Sequence, residues 1–367
     1  MRKVIFLLSF LLGACSAPSP PSAGITDTDS GPSDSGGPRS DSAAERDVSA
    51  PRQHLPLSLA ELHVVSTGTP SDYGATVLTT TTPHAIAFER FTSLTEFRSE
   101  IWTTQEVGAL SFTAPVRAEL GNEPLVSGPH ATRLNGGDYL YFMAGNAADA
   151  RARLYRAAYS SALELGPREE LVLADTFSGM FAWPTVTTGP NGTVLLAYDH
   201  YQSATFVALG DGKTFGTSTQ TGLGVQSRAA FFSDGAIVAT FQAGVNGGAM
   251  MNYVRIASQD LTFSPKAPVT ATNTNVHDSF PFARHDGGVD AYYIAYGANG
   301  FSVYRRSVHR DGTYGEEERV TGSDVGSCAQ PHPRRTDDSS IILTMACGNP
   351  GAGDTDVLGA VLIDDAP

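Results

Sequence analysis

The chain has 367 residues, with 38 Asp and Glu against 24 Lys and Arg, a net charge of −14 at pH 7 and a pI near 5.0. That balance excludes nucleic acid as an expected partner, because affinity there comes from basic side chains that displace counterions. Hydrophobic residues make up 41 %, enough for a core, and 38 glycines break the chain often, as turn-rich folds require.

Arg2 and Lys3 form a basic start, and residues 4–12 form an apolar run too short to span a bilayer. Leu12-Gly13-Ala14-Cys15 places small residues before a cysteine and resembles the bacterial lipobox. The resemblance implies a signal peptide over residues 1–14, cleavage before Cys15 and lipid attachment there. Ser16, by the same resemblance, implies the outer membrane. The other reading is an ordinary secretory signal with an incidental cysteine. Each buried methylene contributes about 0.8 kcal/mol, so several acyl chains would anchor the protein almost permanently. Residues 15–54 are rich in Ser, Pro, Gly and Asp. They hold too little apolar surface to offset ordering entropy and are expected to be a disordered tether.

Residues 55–367 read as strands throughout. A strand is expected at 62–66, another at 73–80, and after a turn at 81–83 a third at 84–90. Hairpin phrases then recur: RLNGGDYLYFMAG, TGPNGTVLLAYDH, FSDGAIVATFQAG, HDGGVDAYYIAYG and RTDDSSIILTMACG. Their turns fall at Gly137, Gly192, Gly235, Gly288 and near Ser339, a period close to 50 residues. Asn-Gly and Asp-Gly between alternating apolar residues mark hairpins, because those residues tolerate positive φ. A second series, Phe112, Phe215, Phe263 and Tyr314, each ends a polar turn before a short strand and runs in phase with the first. Two markers sharing one period predict repeated four-stranded units. Residues 93–100 and 147–153 are the only stretches to consider for helix, and both read as loops. The expected fold is all-β: a six-bladed β-propeller of four-stranded antiparallel blades. The last blade lacks a strand, which residues 62–66 would supply, removing two exposed edges.

Three cysteines are present. With Cys15 assigned to lipid, Cys328 and Cys347 remain. A hairpin with Thr336 opposite Ser339 has facing residue numbers that sum to 675, which also sets Cys328 opposite Cys347. An extracytoplasmic address permits the disulfide; two free buried cysteines are the alternative.

The turn at Gly210-Asp211-Gly212-Lys213-Thr214-Phe215 resembles the Asp-box of sialidases in its Gly-x-Thr-aromatic end. Ser258–Phe263 and Asp311–Tyr314 resemble shortened copies. The likeness implies a sialidase-type propeller and, as one activity, exo-acting glycoside hydrolysis. The Arg-Ile-Pro motif of enzymatic sialidases is absent; Asp72-Tyr73-Gly74-Ala75 stands in its place.

In such a propeller the first strand of each blade lines the central channel, where ligands sit. Positions at that mouth give a ligand-binding set of Trp183, His130, His200, Tyr201, Gln226, Arg228 and His332, with Gln242 and Gln330 beside them. Trp183 is either a sugar-stacking platform or inter-blade packing. Asp199, Asp278 and His277 are the catalytic candidates, with Asp72 a further carboxylate. His277-Asp278 reads either as a base with its orienting carboxylate or as a capped turn. His130, His277 and His332 could meet at a metal, but short ligand spacing is lacking, and no metal is expected. Arg228, Arg284, Arg334 and Arg335 are the anion-clamp candidates, of which only Arg228 falls at the mouth. No phosphate-loop, G-x-S-x-G or H-E-x-x-H pattern occurs, so no cofactor is expected. The reading that results is a lipid-anchored, monomeric, extracytoplasmic module that binds a glycan or a surface protein.

Overall fold

The computed structural model describes residues 55–363 apart from short breaks at 59–61, 67–71, 80–82, 94, 109–110, 149–150, 161–163, 176–178, 201–203, 245–249, 270–275, 298–299, 326, 337–339 and 349–354. The expected signal peptide, Cys15, the whole tether, Tyr201 and the turn at Asp337-Asp338 lie outside the described residues. Every regular element among the described residues is a strand.

The strands form antiparallel meanders. Asp72–Val77, Ala85–Ser93 and Arg98–Gly108 pair in order, with Val116–Arg117 added at the edge. Leu125–Leu134, Gly137–Asn146, Arg151–Ala158 and Glu169–Glu170 follow, joined to the first meander by one parallel bridge, Ser99 to Leu125. Phe181–Thr188, Val194–His200 and Ala204–Gly210 carry two short edge strands, Thr214–Phe215 and Thr219–Gly222. Val225–Phe231, Ile237–Gly244, Met250–Ala257 and Ala267–Pro268 make a four-stranded sheet. So do Val276–Ala283, Val289–Gly297, Gly300–Val308 and Glu318–Arg319. In the last sheet, Cys328–Arg335, Ser340–Gly348 and Thr355–Ile363 are followed at the edge by His63–Ser66. The sheet edge that the C-terminal strand would leave is thus hydrogen-bonded to the N-terminal segment expected there. The stretches first considered for helix are partly extended: Arg98 and Arg151 each begin a strand.

The core lies between sheets. Leu78, Ala87 and Ile101 meet Val126, Leu140 and Phe142 of the next meander. Leu195 and Val207 meet Phe231 and Ile237, Phe232 and Val254 meet Val289 and Val308, and Ile342 meets Val77 and Phe88. Second strands are therefore covered on both faces, which is why VLLAY, IVATF and SIILTM run apolar without alternation. The in-phase aromatics pair back onto the third strand of their own sheet: Phe112 with Glu106, Phe215 with Gly210, Phe263 with Ala257 and Tyr314 with Val308.

First strands pack against one another in chain order, and Asp72–Val77 packs against both Leu125–Leu134 and Cys328–Arg335. Each carries a β-bulge at the same place, between Tyr73 and Thr76, Ser127 and His130, Ala182 and Thr185, Val225 and Arg228, His277 and Phe280, and Ala329 and His332. At every bulge the residue after the last paired one has positive φ: Gly74 (56°), Gly128 (65°), Trp183 (46°), Gln226 (58°), Asp278 (50°) and Gln330 (52°). A bulge adds one unpaired residue and re-aims a side chain. The unpaired amide is managed locally. In three strands the next residue is Pro129, Pro184 or Pro331, which has no N–H to leave unbonded. In a fourth, Ser227 N–H is caught by the Asp199 carboxylate.

The same bulge corrects the expected hairpin register. Thr336 N–H bonds to Ser340 O, not to Ser339, and Arg335 faces Ile341. The numbers there sum to 676, a frame that would set Cys328 opposite Gly348. The bulge at Gln330-Pro331 shifts the frame by one, so Cys328 faces Cys347 and the two form the disulfide.

Candidate functional site

The bulged residues converge on one cavity of about 60 Å³. Gly74, Gly128, Trp183, Gln226, Asp278 and Gln330 all line it, and beneath them lie His130, Thr185, Arg228, Phe280 and His332, each two residues further along its strand. For Trp183, Gln226, Asp278 and Gln330 the left-handed backbone is an outlier, costing of order 1–3 kcal/mol each. The surrounding sheet holds them there. Trp183 is half-buried and leans over Gly128: a Cβ at Gly128 would meet Trp183 Cδ1 at 2.8 Å and its Cα at 3.2 Å. Gly128 is therefore needed both for its φ and for the space that Trp183 takes.

Neighbouring strands clasp one another at the bulges. Gly74 N–H donates to Gln330 Oε1 at 2.6 Å, and Gln330 N–H donates to Asp278 Oδ2 at 3.2 Å. Gly128 N–H donates to Glu89 Oε2 at 3.2 Å, and Gln226 N–H donates to Asp199 Oδ2 at 2.5 Å. Glu89, Asp199 and Gln242 are equivalent: each sits on a second strand opposite the residue that precedes the bulge.

His130 and His332 form a pair whose protons can be counted. His130 Nε2 lies 2.8 Å from Val186 O, and His332 Nδ1 lies 2.8 Å from Ala75 O. Carbonyl oxygens only accept, so those two nitrogens carry hydrogens. The remaining nitrogens, His130 Nδ1 and His332 Nε2, face each other at 3.2 Å. Three contacts in a row need three protons, and two neutral imidazoles supply two. Burial, reinforced by the Arg334 and Arg228 guanidiniums, pushes His130 down to about 3 and His332 well below the ordinary histidine range. At neutral pH the inner nitrogens are thus two facing lone pairs.

Arg228 makes hydrogen bonds to Ser227 O at 2.9 Å and Trp183 O at 3.5 Å and has no ion pair among the described residues. Thr185 Oγ1, Gln226 Oε1 and Ser279 Oγ belong to residues that line the cavity but are themselves buried away from its open space, without a partner. Burial raises the Glu89 carboxyl above the usual carboxylate range, against hydrogen bonds from Ser127, Gly128 and Ser99 that lower it.

Of the residues singled out by sequence, Trp183, His130, Gln226, Arg228, His332, Gln330 and Asp278 share this cavity. Asp199 is buried and engaged with the Gln226 and Ser227 amides, and burial raises its carboxyl to about 6. Asp72 is buried in an ion pair with Arg90, at 2.7 Å. His277 stands beside the cavity, where Gln242 Nε2 lies 2.5 Å from its Nδ1 and Phe301 meets its ring edge-on. His200 packs against Phe181 and Phe206 on the third meander. The other arginines stitch the scaffold: Arg284 pairs with Asp286, Arg334 with Ala131 O and Arg335 with Ala283 O. Among the described residues, no three of His, Cys, Asp and Glu gather as a metal set. Sequence reasoning missed Glu89 and Thr185. Aligning the repeat would have found Glu89, because it occupies the position of Asp199 and Gln242.

No family model matches the chain, and no curated protein matches it in sequence. Solved structures match it in shape. A protein of unknown function from Dyadobacter fermentans superposes with a TM-score of 0.65 at 13 % identity, over 83 % of this chain and 98 % of that one. The NanB sialidase from Streptococcus pneumoniae gives 0.60 at 10 % identity, over 83 % and 70 %. The α-L-arabinofuranosidase Arb93A from Fusarium graminearum gives 0.59 at 9 % identity, over 82 % and 97 %. The described residues thus carry a sialidase-like β-propeller fold; function has to be argued from the site.

Proposed function

We propose that this protein is a glycan-binding propeller that holds its ligand at the mouth of the central cavity without turning it over. Six four-stranded blades close into a ring through His63–Ser66, and the bulged first strands surround the site. The observation that carries the reading is Trp183. It is a large aromatic held at positive φ beside Gln226, Gln330 and Asp278, at a cavity also lined by Thr185, Ser279 and Arg228. An aromatic face with convergent amide and hydroxyl groups suits a sugar ring. Asp72 and Asp199 support binding over catalysis, since both are engaged in the scaffold. A glycan array on the full chain, followed by hydrolysis assays on every hit, tests the reading. Binding without turnover, weakened by Trp183→Ala, is the expected result. Capture of a protein and no glycan would overturn it.

One observation favours a second reading, an exo-acting glycoside hydrolase: Glu89 and Asp278 both line the cavity, and a carboxyl that burial pushes above the usual carboxylate range, sharing a cavity with a second carboxyl, fits an acid/base pair. Turnover abolished by Asp278→Asn would establish it. We also propose anchoring through Cys15 in the bacterial envelope, at the outer membrane, with residues 15–54 as the tether. Cys15→Ser should release the protein from membranes or block its maturation; unchanged fractionation, with no lipid-labelled form of the wild type, would overturn that.

A further inference from the structure

Arg228 reaches the cavity with donors to spare. Its Nη1 is bonded to Ser227 O and Trp183 O. Its Nε and Nη2 have no partner among the described residues, and neither is among the unbonded atoms shut away from open space. They therefore open onto the cavity that Arg228 lines. Asp199 and Asp278 act on the guanidinium only through space, against the burial that lowers its pKa. An enclosed charge without a counter-ion is costly, and the free edge of a guanidinium is shaped to take oxyanion oxygens. Two more donors line the same cavity from other first strands. Gln330 gives its Oε1 to Gly74 N–H, which fixes the amide and leaves Nε2 as its free end. The Trp183 indole N–H has no partner among the described residues and is not shut away either.

Size, shape and charge restrict the occupant. A water needs roughly 10–15 Å³ on this measure, so about 60 Å³ holds about four to six water-sized groups. A sugar ring does not fit, but a sulfur or phosphorus with its oxygens does. Trp183, Arg228 and Gln330 stand on three different strands, so the donors come from three sides. A tetrahedral group has a free oxygen for each, whereas a planar carboxylate has only two. One negative charge answers Arg228, and Asp278 in the same lining repels a second. A phosphate monoester carries about −1.5 to −2 at pH 7; a sulfate ester carries one charge.

We infer that the cavity takes a sulfate ester carried on a sugar. The ring stays outside against Trp183 and the sulfate points inward. One oxygen accepts from Arg228 Nε and Nη2, and the others accept from Gln330 Nε2 and the Trp183 N–H. The chain's net charge of −14 opposes a densely charged polyanion, so the sulfate sits singly on an otherwise neutral glycan. The inference rests on the glycan-binding reading and names its ligand class.

The test uses the full-length protein on an array of singly sulfated glycans with their unsulfated, phosphorylated and uronic-acid counterparts, followed by isothermal titration of the hits. At least one sulfated glycan should bind tenfold or more tighter than its unsulfated counterpart, the scale of charge-assisted hydrogen bonds. Arg228→Met should abolish that preference, with thermal unfolding showing that the variant is folded. Arg228→Lys, which keeps the charge but not the planar fork, should fall between the two. Sulfated and unsulfated forms binding equally, or a phosphorylated or uronic-acid form binding tightest, overturns the inference and leaves the glycan reading intact. So does a sulfate preference that survives in folded Arg228→Met. Binding of no glycan at all overturns the glycan reading, and the inference with it.

Discussion

The carboxylate of Asp199 holds Gln226 in its bulge. Oδ2 accepts the Gln226 N–H at 2.5 Å and Oδ1 accepts the next amide, Ser227 N–H, at 2.8 Å. A residue that sequence reasoning offered as an acid/base candidate is thus a brace between neighbouring sheets. Asp199→Ala leaves two buried amides without an acceptor and should cost about 2–4 kcal/mol of stability. Urea denaturation of both proteins checks it. A loss below about 0.5 kcal/mol would mean that the bulge holds itself.

The histidine pair sets a pH dependence with a definite sign. His130 and His332 are both held below the ordinary value of 6.5 in the folded state. The unfolded chain therefore takes up protons that the folded chain refuses. Their contribution is fully present above the unfolded value and is lost as pH falls below it, by about 1.4 kcal/mol per pH unit for each histidine. Asp199, which burial raises to about 6, takes up a proton in the folded chain over the same range and offsets part of this slope, so the histidine share is read by difference: between pH 7 and pH 5, His332→Gln should lose about one proton's worth less stability on acidification than the unsubstituted protein. An unchanged pH dependence in His332→Gln would mean that the pair holds a third proton of its own.

Gly128 and Gly136 separate two effects of adding a methyl group. Both have positive φ, 65° and 82°, but a Cβ at Gly136 meets nothing within 4 Å, whereas one at Gly128 strikes Trp183. Gly136→Ala should cost about 1–2 kcal/mol from the backbone alone. Gly128→Ala should cost at least about 1 kcal/mol more and should shift Trp183 fluorescence, read in a Trp102→Phe background. Equal costs and an unchanged spectrum would show that the indole moves aside freely.

Cys328–Cys347 closes a short loop of sequence separation 19, for which chain-entropy arguments give about 3 kcal/mol. The Cys328→Ala, Cys347→Ala double variant should lose about that much. Because Cys328 lies two residues before Gln330, it should also weaken any ligand at the cavity. Unchanged stability under native export would mean that the hairpin register alone suffices.

The repeat was legible because its markers are chemically obvious: Asn-Gly and Asp-Gly hairpins, and aromatics that pair back to Ala257, Val308 and Gly210. The bulges were not, since Gly, Trp, Gln and Asp share no local signature and positive φ leaves no mark in a sequence. Proline at 129, 184 and 331 was visible but marks only half of them. The disulfide was assigned to the right cysteines through a turn frame that is one residue off, with the Gln330 bulge making up the difference. Glu89 was overlooked because it lies mid-strand in the one repeat that lacks the recurring hairpin phrase. The candidate list thus gathered lining residues from five of the six first strands and also residues outside the cavity, such as Asp199, which braces it, and His200.

Gly, Gly, Trp, Gln, Asp and Gln occupy one backbone conformation in consecutive first strands. At Trp183 and Gln226 the conformation is fixed from outside the occupying side chain, by Pro184 and by the Asp199 carboxylate, so those side chains are open to exchange, whereas Gln330 and Asp278 use theirs to clasp the neighbouring strand. The bulges thus act as sockets on an invariant mount. Selectivity can be rewritten one socket at a time, by substitutions that leave strand pairing alone, in the way that binding loops vary on a constant scaffold.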